Sequence, residues 1–384
     1  VLAAPLDATA AGDAPVASAA SAIRLVSSST EGGWRYDYYV NRAAPCSESG
    51  AQTFLVGTRI GADPTAAAPL WTFMHGGGVG YYVDGRPVPN AAHKVQESAA
   101  RLRSGIADGL VRRVQSSPAN FRILAVSMCS HDTYAGNLTP DPGNDTVYRG
   151  ITGVPTTGLA HTLDAIHWVE DHYATDDVVL HGGSAGSIGT FHVGYWMQLH
   201  GEAPTAIVAD SAVVNTAWQT AQNDLGPTLP DGSVNECYRT PEAMAAIPAR
   251  WDPVLRTGDD AHLRLASGQL TVPVMHVWST NDANQCGGRT MRCPLPNGTT
   301  TVLGSAQCNN RPIRDVIAAL PADRHSRDLQ VCVDRPGPTH PETCDWHVPT
   351  STDGVNTAVP AGDPDRDYNG AILAWAEARV AATP

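Results

Sequence analysis

The chain has 384 residues, 42% of them apolar and 16% charged, with a formal net charge of −13. That length and apolar content fit a packed α/β domain and exclude general disorder. The acidic balance excludes nucleic acid as a natural partner, and no apolar run reaches the ~18 residues needed to span a membrane.

Residues 1–22 are rich in Ala, Ser and Pro and lack a basic, apolar signal segment. They read as the start of a mature exported protein and as a flexible or strap-like arm. Low lysine use, high alanine and an even cysteine count point to a secreted, extracellular protein of bacterial origin. Residues 34–40 and 53–60 alternate and carry aromatic or β-branched side chains, so strands are expected. Residues 69–78 form an apolar run that ends in glycines, which suits a buried strand feeding a loop. A helix is expected within 91–116, a strand over 121–128 and an amphipathic helix over 157–173. A short strand near 178–180 runs into a glycine turn and a helix over 187–200. Two more strands are expected at 205–212 and 272–280. Between them, residues 213–270 read as an irregular, lid-like insertion. Residues 283–312 read as a cysteine-stapled loop and 370–382 as a closing helix.

The eight cysteines are Cys46, Cys129, Cys237, Cys286, Cys293, Cys308, Cys332 and Cys344. No C-x-x-C pair is present, so disulfides are preferred over a zinc ribbon. Cys286 with Cys293 and Cys332 with Cys344 are candidate local pairs, although eight cysteines allow 105 connectivities.

The chemistry centres on Gly182-Gly183-Ser184-Ala185-Gly186, a Gly-x-Ser-x-Gly turn between strand and helix. Small neighbours let a serine occupy a strained turn with its hydroxyl exposed as a nucleophile. Upstream, His75-Gly76-Gly77-Gly78 ends an apolar strand. Such a loop brings backbone N–H groups close to a developing oxyanion. The Gly78 or Val79 amide is the expected donor, alongside that of Ala185. A serine needs a base oriented by a carboxylate. Asp282, just after strand 272–280, is the expected acid, with Asp210 as its rival. His347, before the closing helix, is the expected base, with His325 and His340 as competitors; His276 lies within a strand and suits a supporting role. Tyr81, Tyr82, Asp132 and Trp218 are candidate substrate contacts, although Asp132 would equally serve to brace a loop.

Together these features predict an α/β-hydrolase. A mostly parallel central sheet should carry helices on both faces and a loop-rich, disulfide-stapled cap. One catalytic domain is expected over 23–384. No metal or organic cofactor is expected. Asp365, Asp367 and Asn369 resemble half a calcium loop, but helix capping is the preferred account.

Several blocks in order resemble the pectin acetylesterase and Notum carboxylesterase family. They are WTFMHGGGV, MCSHDTYAGN, LHGGSAGSIG, VPVMHVWSTNDANQ and CDWHVPT. The resemblance implies Ser184, Asp282 and His347 as a triad, Gly78, Val79 and Ala185 as oxyanion donors, and deacylation of a carbohydrate or other ester. Val79 stands where the family has tryptophan, Gly183 where it has cysteine, and Ser187 where it has glycine. The expected partner is thus an ester substrate acted on by a monomer: a carbohydrate ester, a small ester or a polyester. A peptidase or amidase on the same machinery, or a binding protein derived from a hydrolase, is the alternative.

Overall fold

The computed structural model describes residues 22–88, 95–148, 150–211, 216–235, 237–256, 260–282, 284–285, 290–294, 299–331, 346–351 and 366–382. The expected arm lies outside them apart from residue 22. The chain opens with three long strands, β1 (Ile23–Glu31), β2 (Trp34–Pro45) and β3 (Ala51–Arg59). Then come β4 (Leu70–Met74), the short pair β5 (Tyr82–Val83) and β6 (Arg86–Pro87), and helices α1 (Ala99–Gly105) and α2 (Gly109–Val114). Next are β7 (Arg122–Val126), the pair β8 (Val147–Tyr148) and β9 (Ile151–Thr152), α3 (Gly158–His172), β10 (Val178–Gly183) and α4 (Ala185–Leu199). After β11 (Ala206–Asp210) come α5 (Thr216–Asp224), α6 (Pro241–Ala249) and α7 (Ala261–Ser267). The chain closes with β12 (Val274–Ser279), β13 (Thr290–Pro294), β14 (Thr300–Gly304), α8 (Ser305–Ala319), β15 (Arg327–Val331) and α9 (Tyr368–Val380).

Nine strands form one sheet in the order β1-β2-β3-β7-β4-β10-β11-β12-β15. From β7 to β15 every neighbouring pair is parallel, while β1, β2 and β3 join as antiparallel strands. The period of two sorts the side chains cleanly between the faces. Trp71 and Phe73 of β4, Ile123 and Ala125 of β7 and Val208 of β11 enter one core, packed under α1, α2 and α9. Leu70, Met74, Leu124, Val126 and Ile207 enter the other, packed under α3, α4, α7 and α8. A sheet buried on both faces leaves only its edges and strand ends for function.

Three expectations need correction. Residues 283–312 are not simply a loop. They include the β13–β14 hairpin and the start of α8, and Pro312 inside that helix masks its signal. Strands β1 and β15, at the two edges of the sheet, were not anticipated. Cys293 pairs with Cys308 rather than with Cys286, because the hairpin brings residue 293 to the first turn of α8. Cys46 pairs with Cys129 across 83 residues. Cys286, Cys332 and Cys344 lie outside the described residues.

Candidate active site

Parallel strands deliver their C-terminal ends to one edge, and the candidate residues gather there. Ser184 follows β10, Asp210 ends β11 and Asp282 follows β12. Ser184 has φ 55 and ψ −120, a conformation that few residues other than glycine adopt. Its neighbours explain how the turn survives. A Cβ on Gly182 would strike the Gly186 carbonyl, one on Gly186 would strike the Met74 carbonyl, and one on Gly183 would strike the Val348 side chain. The Ser184 amide donates to the Asp210 carbonyl at 2.9 Å, tying the turn to the next strand. Ala185 is the first residue of α4, so its N–H has no acceptor within the helix.

The glycine loop after β4 passes directly over this turn. A Cβ on Gly76 would lie 2.8 Å from Ser184 Cβ and 2.7 Å from the Gly183 carbonyl oxygen. Gly76 therefore packs backbone to backbone against the serine turn, with no room for a side chain. Gly77 and Gly78 both have positive φ, 155° and 83°. His75 anchors the start of the loop. Its Nε2 lies 2.8 Å from Glu97 Oε2, and its carbonyl accepts from Tyr134 Oη at 3.0 Å. At the far end, the Gly80 amide donates to the His131 carbonyl at 2.9 Å.

His347 and Asp282 meet. His347 Nδ1 and Asp282 Oδ2 are 2.8 Å apart, with Asp282 fully buried. The Asn284 amide donates to Asp282 Oδ1 at 2.9 Å, and Gln285 Nε2 donates to Oδ2 at 2.8 Å. Burial lowers the affinity of His347 for a proton. The hydrogen bond and charge of Asp282, helped by Asp210, outweigh that and raise its pKa above the ordinary value.

Asp210 takes a different part. Its Oδ2 accepts from the Thr350 amide at 2.7 Å and Thr350 Oγ1 at 2.5 Å, and its Oδ1 accepts from Ser211 Oγ at 3.0 Å. Ser211 Oγ in turn accepts from the Val348 amide at 3.1 Å. Asp210 thus latches the segment that carries His347. Burial pushes its pKa up to about 6. His181 Nε2 lies 3.0 Å from Thr350 Oγ1, and Trp71 Nε1 donates to His181 Nδ1 at 3.2 Å. Of the rival bases, His325 precedes β15, at the opposite end of the sheet, and its carbonyl accepts from Trp375. His340 lies outside the described residues. None of Ser211, Thr350 or His181 was singled out in the sequence, because latch residues carry no motif of their own.

Asp132 is a correction. It is fully buried, and its carboxylate accepts from the amides of Tyr134, Gly136 and Gly158 at 2.9–3.0 Å. With those oxygens engaged inside the protein, it braces a loop and does not reach a substrate. Tyr82 is also inward, its hydroxyl donating to the Ser47 carbonyl at 3.0 Å. Tyr81 is half-buried beside the glycine loop. Trp218 falls on α5, with its side chain outside the described residues. Asp367 caps α9 through the Gly370 amide at 2.8 Å and pairs with Arg113 at 2.6 Å; Asp365 is outside the described residues.

No family model matches the chain, and no curated protein matches it significantly. Solved structures do. A Bacteroides fragilis protein inferred to be an acetyl xylan esterase is 12% identical, over 93% of this chain and 82% of its own, with a TM-score of 0.45. An S-formylglutathione hydrolase from Agrobacterium tumefaciens is 12% identical over 67% of this chain and 80% of its own, with a TM-score of 0.39. A thermostable esterase is 12% identical over 79% of this chain and 56% of its own, with a TM-score of 0.35. Similarity this distant leaves the chemistry to be argued from the residues. The fold itself is α/β-hydrolase: a mixed sheet, helices on both faces, and a strand–serine–helix turn at its carboxyl edge.

Proposed function

We propose that the chain is a secreted serine carboxylic-ester hydrolase with Ser184 as nucleophile, His347 as base and Asp282 as acid. The observation that carries this reading is the 2.8 Å hydrogen bond between His347 Nδ1 and buried Asp282, at the same sheet edge as the strained Ser184 turn. Ser184 Oγ attacks the ester carbonyl carbon and its proton passes to His347 Nε2. Amides of the 76–79 loop and of Ala185 receive the oxyanion, each donor being worth ~3–4 kcal/mol in such sites. The tetrahedral adduct collapses, the C–O bond to the alcohol breaks, and His347 returns the proton to the leaving oxygen. Water, deprotonated by His347, then frees the acid and restores Ser184. Asp282 orients the ring and offsets its transient positive charge.

Kinship with the pectin acetylesterase and Notum group is part of this proposal and rests on the five sequence blocks. So is a single domain over 23–384 with 213–270 as its lid. The disulfides Cys46–Cys129 and Cys293–Cys308 are consistent with export, and no described helix is long and apolar enough to cross a membrane. Tyr81 is the remaining described candidate for a substrate contact. The test is hydrolysis of a p-nitrophenyl ester chain-length series beside matched p-nitroanilides. Turnover of the short esters, lost in Ser184→Ala, is expected; anilide turnover at comparable rates would make the chain an amidase instead.

A further inference from the structure

A buried run of side chains leads from Asp282 to a second histidine–carboxylate pair, His276 of β12 and Asp328 of β15. Asp282 Oδ2 receives two donors, His347 Nδ1 and Gln285 Nε2, each at 2.8 Å. Gln285 is 5% exposed and its Oε1 accepts from Asn310 Nδ2 at 3.0 Å. The same Asn310 nitrogen donates to the Ala306 carbonyl at 2.7 Å. Asn310 Oδ1 faces His276 Nε2 at 3.1 Å, and both residues are fully buried. On the other side of the ring, His276 Nδ1 lies 2.6 Å from Asp328 Oδ1, and Trp278 Nε1 donates to that carboxylate at 3.1 Å.

The direction of this run is fixed by groups that can only accept. The Ala306 carbonyl demands the NH2 end of Asn310, which leaves the carbonyl end of Asn310 toward His276. His276 Nε2 must therefore carry a proton. Asp282 Oδ2, an acceptor toward His347, takes the NH2 end of Gln285, and the Gln285 carbonyl then meets the Asn310 NH2. Along the links His276–Asn310, Asn310–Gln285 and Gln285–Asp282, each donor points toward Asp282. The Asp328 carboxylate lies against the other ring nitrogen, Nδ1, at 2.6 Å and holds the ring in place.

We propose that Gln285 is a positioning residue of the hydrolytic site, held by Asn310 and by a protonated His276 Nε2 in the one orientation that donates to Asp282. The inference rests on the esterase reading for its function, though not for its geometry. A reversed Gln285 would set a carbonyl oxygen against a carboxylate and push Asp282 away from His347. The donor also draws negative charge from Asp282, so its loss leaves a more basic carboxylate that holds the His347 proton more firmly. The charged groups that face His347 are Asp282 and Asp210, and neither changes in the variants below.

The decisive measurement is the titration of His347 by nitrogen NMR of histidine-labelled protein, its signal identified by its loss in His347→Gln. Gln285→Met removes the donor at similar volume. Asn310→Asp places a carboxylate against the Gln285 and Ala306 oxygens and so reverses Gln285. Each should raise the His347 midpoint by about half a unit or more. Each should also lower kcat about tenfold with KM little changed, and the double variant should be no worse than either single one. In the wild-type protein, the nitrogen shifts should show a proton on His276 Nε2, the nitrogen that faces Asn310 Oδ1, a result that needs no variant to fold. An unprotonated Nε2, an unmoved or lowered His347 midpoint, or losses that multiply would each overturn the proposal. A wild-type protein that hydrolyses no ester, yet shows the raised midpoint in Gln285→Met, would sink the esterase reading and support the hydrogen-bond run.

Discussion

The isopropyl group of Val348 occupies the space that a side chain on Gly183 would need. Gly183 precedes Ser184, and Val348 follows His347. Ser184 has φ 55 and Val348 has φ 56, a costly conformation for a β-branched residue. This contact thus joins two strained turns, and the Val348 turn is held by its amide on Ser211 and by the Thr350 amide on Asp210. Gly183→Ala should push Val348 outward and carry His347 with it. A displacement of about 1 Å at a reacting group costs on the order of 100-fold in rate. The expected result is such a loss in kcat/KM with native circular dichroism, partly restored by adding Val348→Ala. No loss in Gly183→Ala would mean the contact does not set the histidine.

Strain at Ser184 has a thermodynamic signature. A residue held in this region costs about 1–3 kcal/mol, and glycine escapes most of it. Ser184→Gly should raise Tm by several degrees while abolishing ester hydrolysis. Ser184→Ala should abolish hydrolysis with Tm nearly unchanged. Calorimetry on the two variants checks both, and a serine variant that unfolds would reveal a structural serine.

The two raised groups at the site act over different pH windows. His347 must be neutral to accept the Ser184 proton, and its pKa lies above the ordinary ~6.5. The kcat/KM profile should therefore climb through a midpoint above that value. Because folded His347 binds its proton more tightly, its contribution to stability is full below the unfolded pKa and is lost as pH rises through the folded one. For Asp210, protonation also favours the folded state. That contribution is full below 3.8 and lost by about pH 6. Asp210→Asn keeps an acceptor for Thr350 but removes a negative charge near His347. Its kcat/KM limb should move to lower pH with activity within about tenfold of wild type, whereas Asp282→Asn should lose roughly 10³–10⁴ in kcat. Equal losses in the two variants would make Asp210 the acid.

Much of this site was legible because nucleophilic catalysis writes local patterns. The Gly-x-Ser-x-Gly turn needs small residues at fixed offsets, and Gly182, Gly183 and Gly186 each prove too crowded for a side chain. Asp282 was found from its place after an apolar strand, a consequence of parallel topology. Parallel strands β4, β7, β10, β11 and β12 stood out as apolar runs because both of their faces are buried. β1 did not, since its residues are exposed along almost its whole length. Helix α8 hid behind Pro312, a residue that ordinarily breaks a helix and here stands inside one. The roles of Asp132 and Tyr82 depended on burial, which a conserved-looking block cannot report. Gln285, Thr350 and Ser211 act only through partners 3 to 140 positions away, and pairings of that kind leave no period in the sequence.

Arg250 shows the same limitation and yields the last test. It follows α6, and its guanidinium is fully buried. Two of its nitrogens meet Asp141 at 2.8 and 3.1 Å; it also donates to the carbonyls of Ser130 at 2.5 Å and His131 at 3.0 Å, and to that of Gly80. One side chain therefore fastens the 213–270 segment to the end of the glycine loop and to the Asp132 turn. Removing one partner of a buried pair leaves the other charge uncompensated, which costs about 3–5 kcal/mol. Arg250→Met should lose stability of that order in urea denaturation, and Arg250→Lys nearly as much, because an ammonium cannot fork between Asp141 and the carbonyls. Pairing Arg250→Met with Asp141→Leu should recover part of the loss by removing the stranded carboxylate. Catalysis should suffer beyond the stability change, since Gly80, at the far end of the proposed oxyanion loop, keeps only its amide bond to His131 and loses the Arg250 donor on its carbonyl. A loss below about 1 kcal/mol in Arg250→Met would place this pair among the interactions that contribute little.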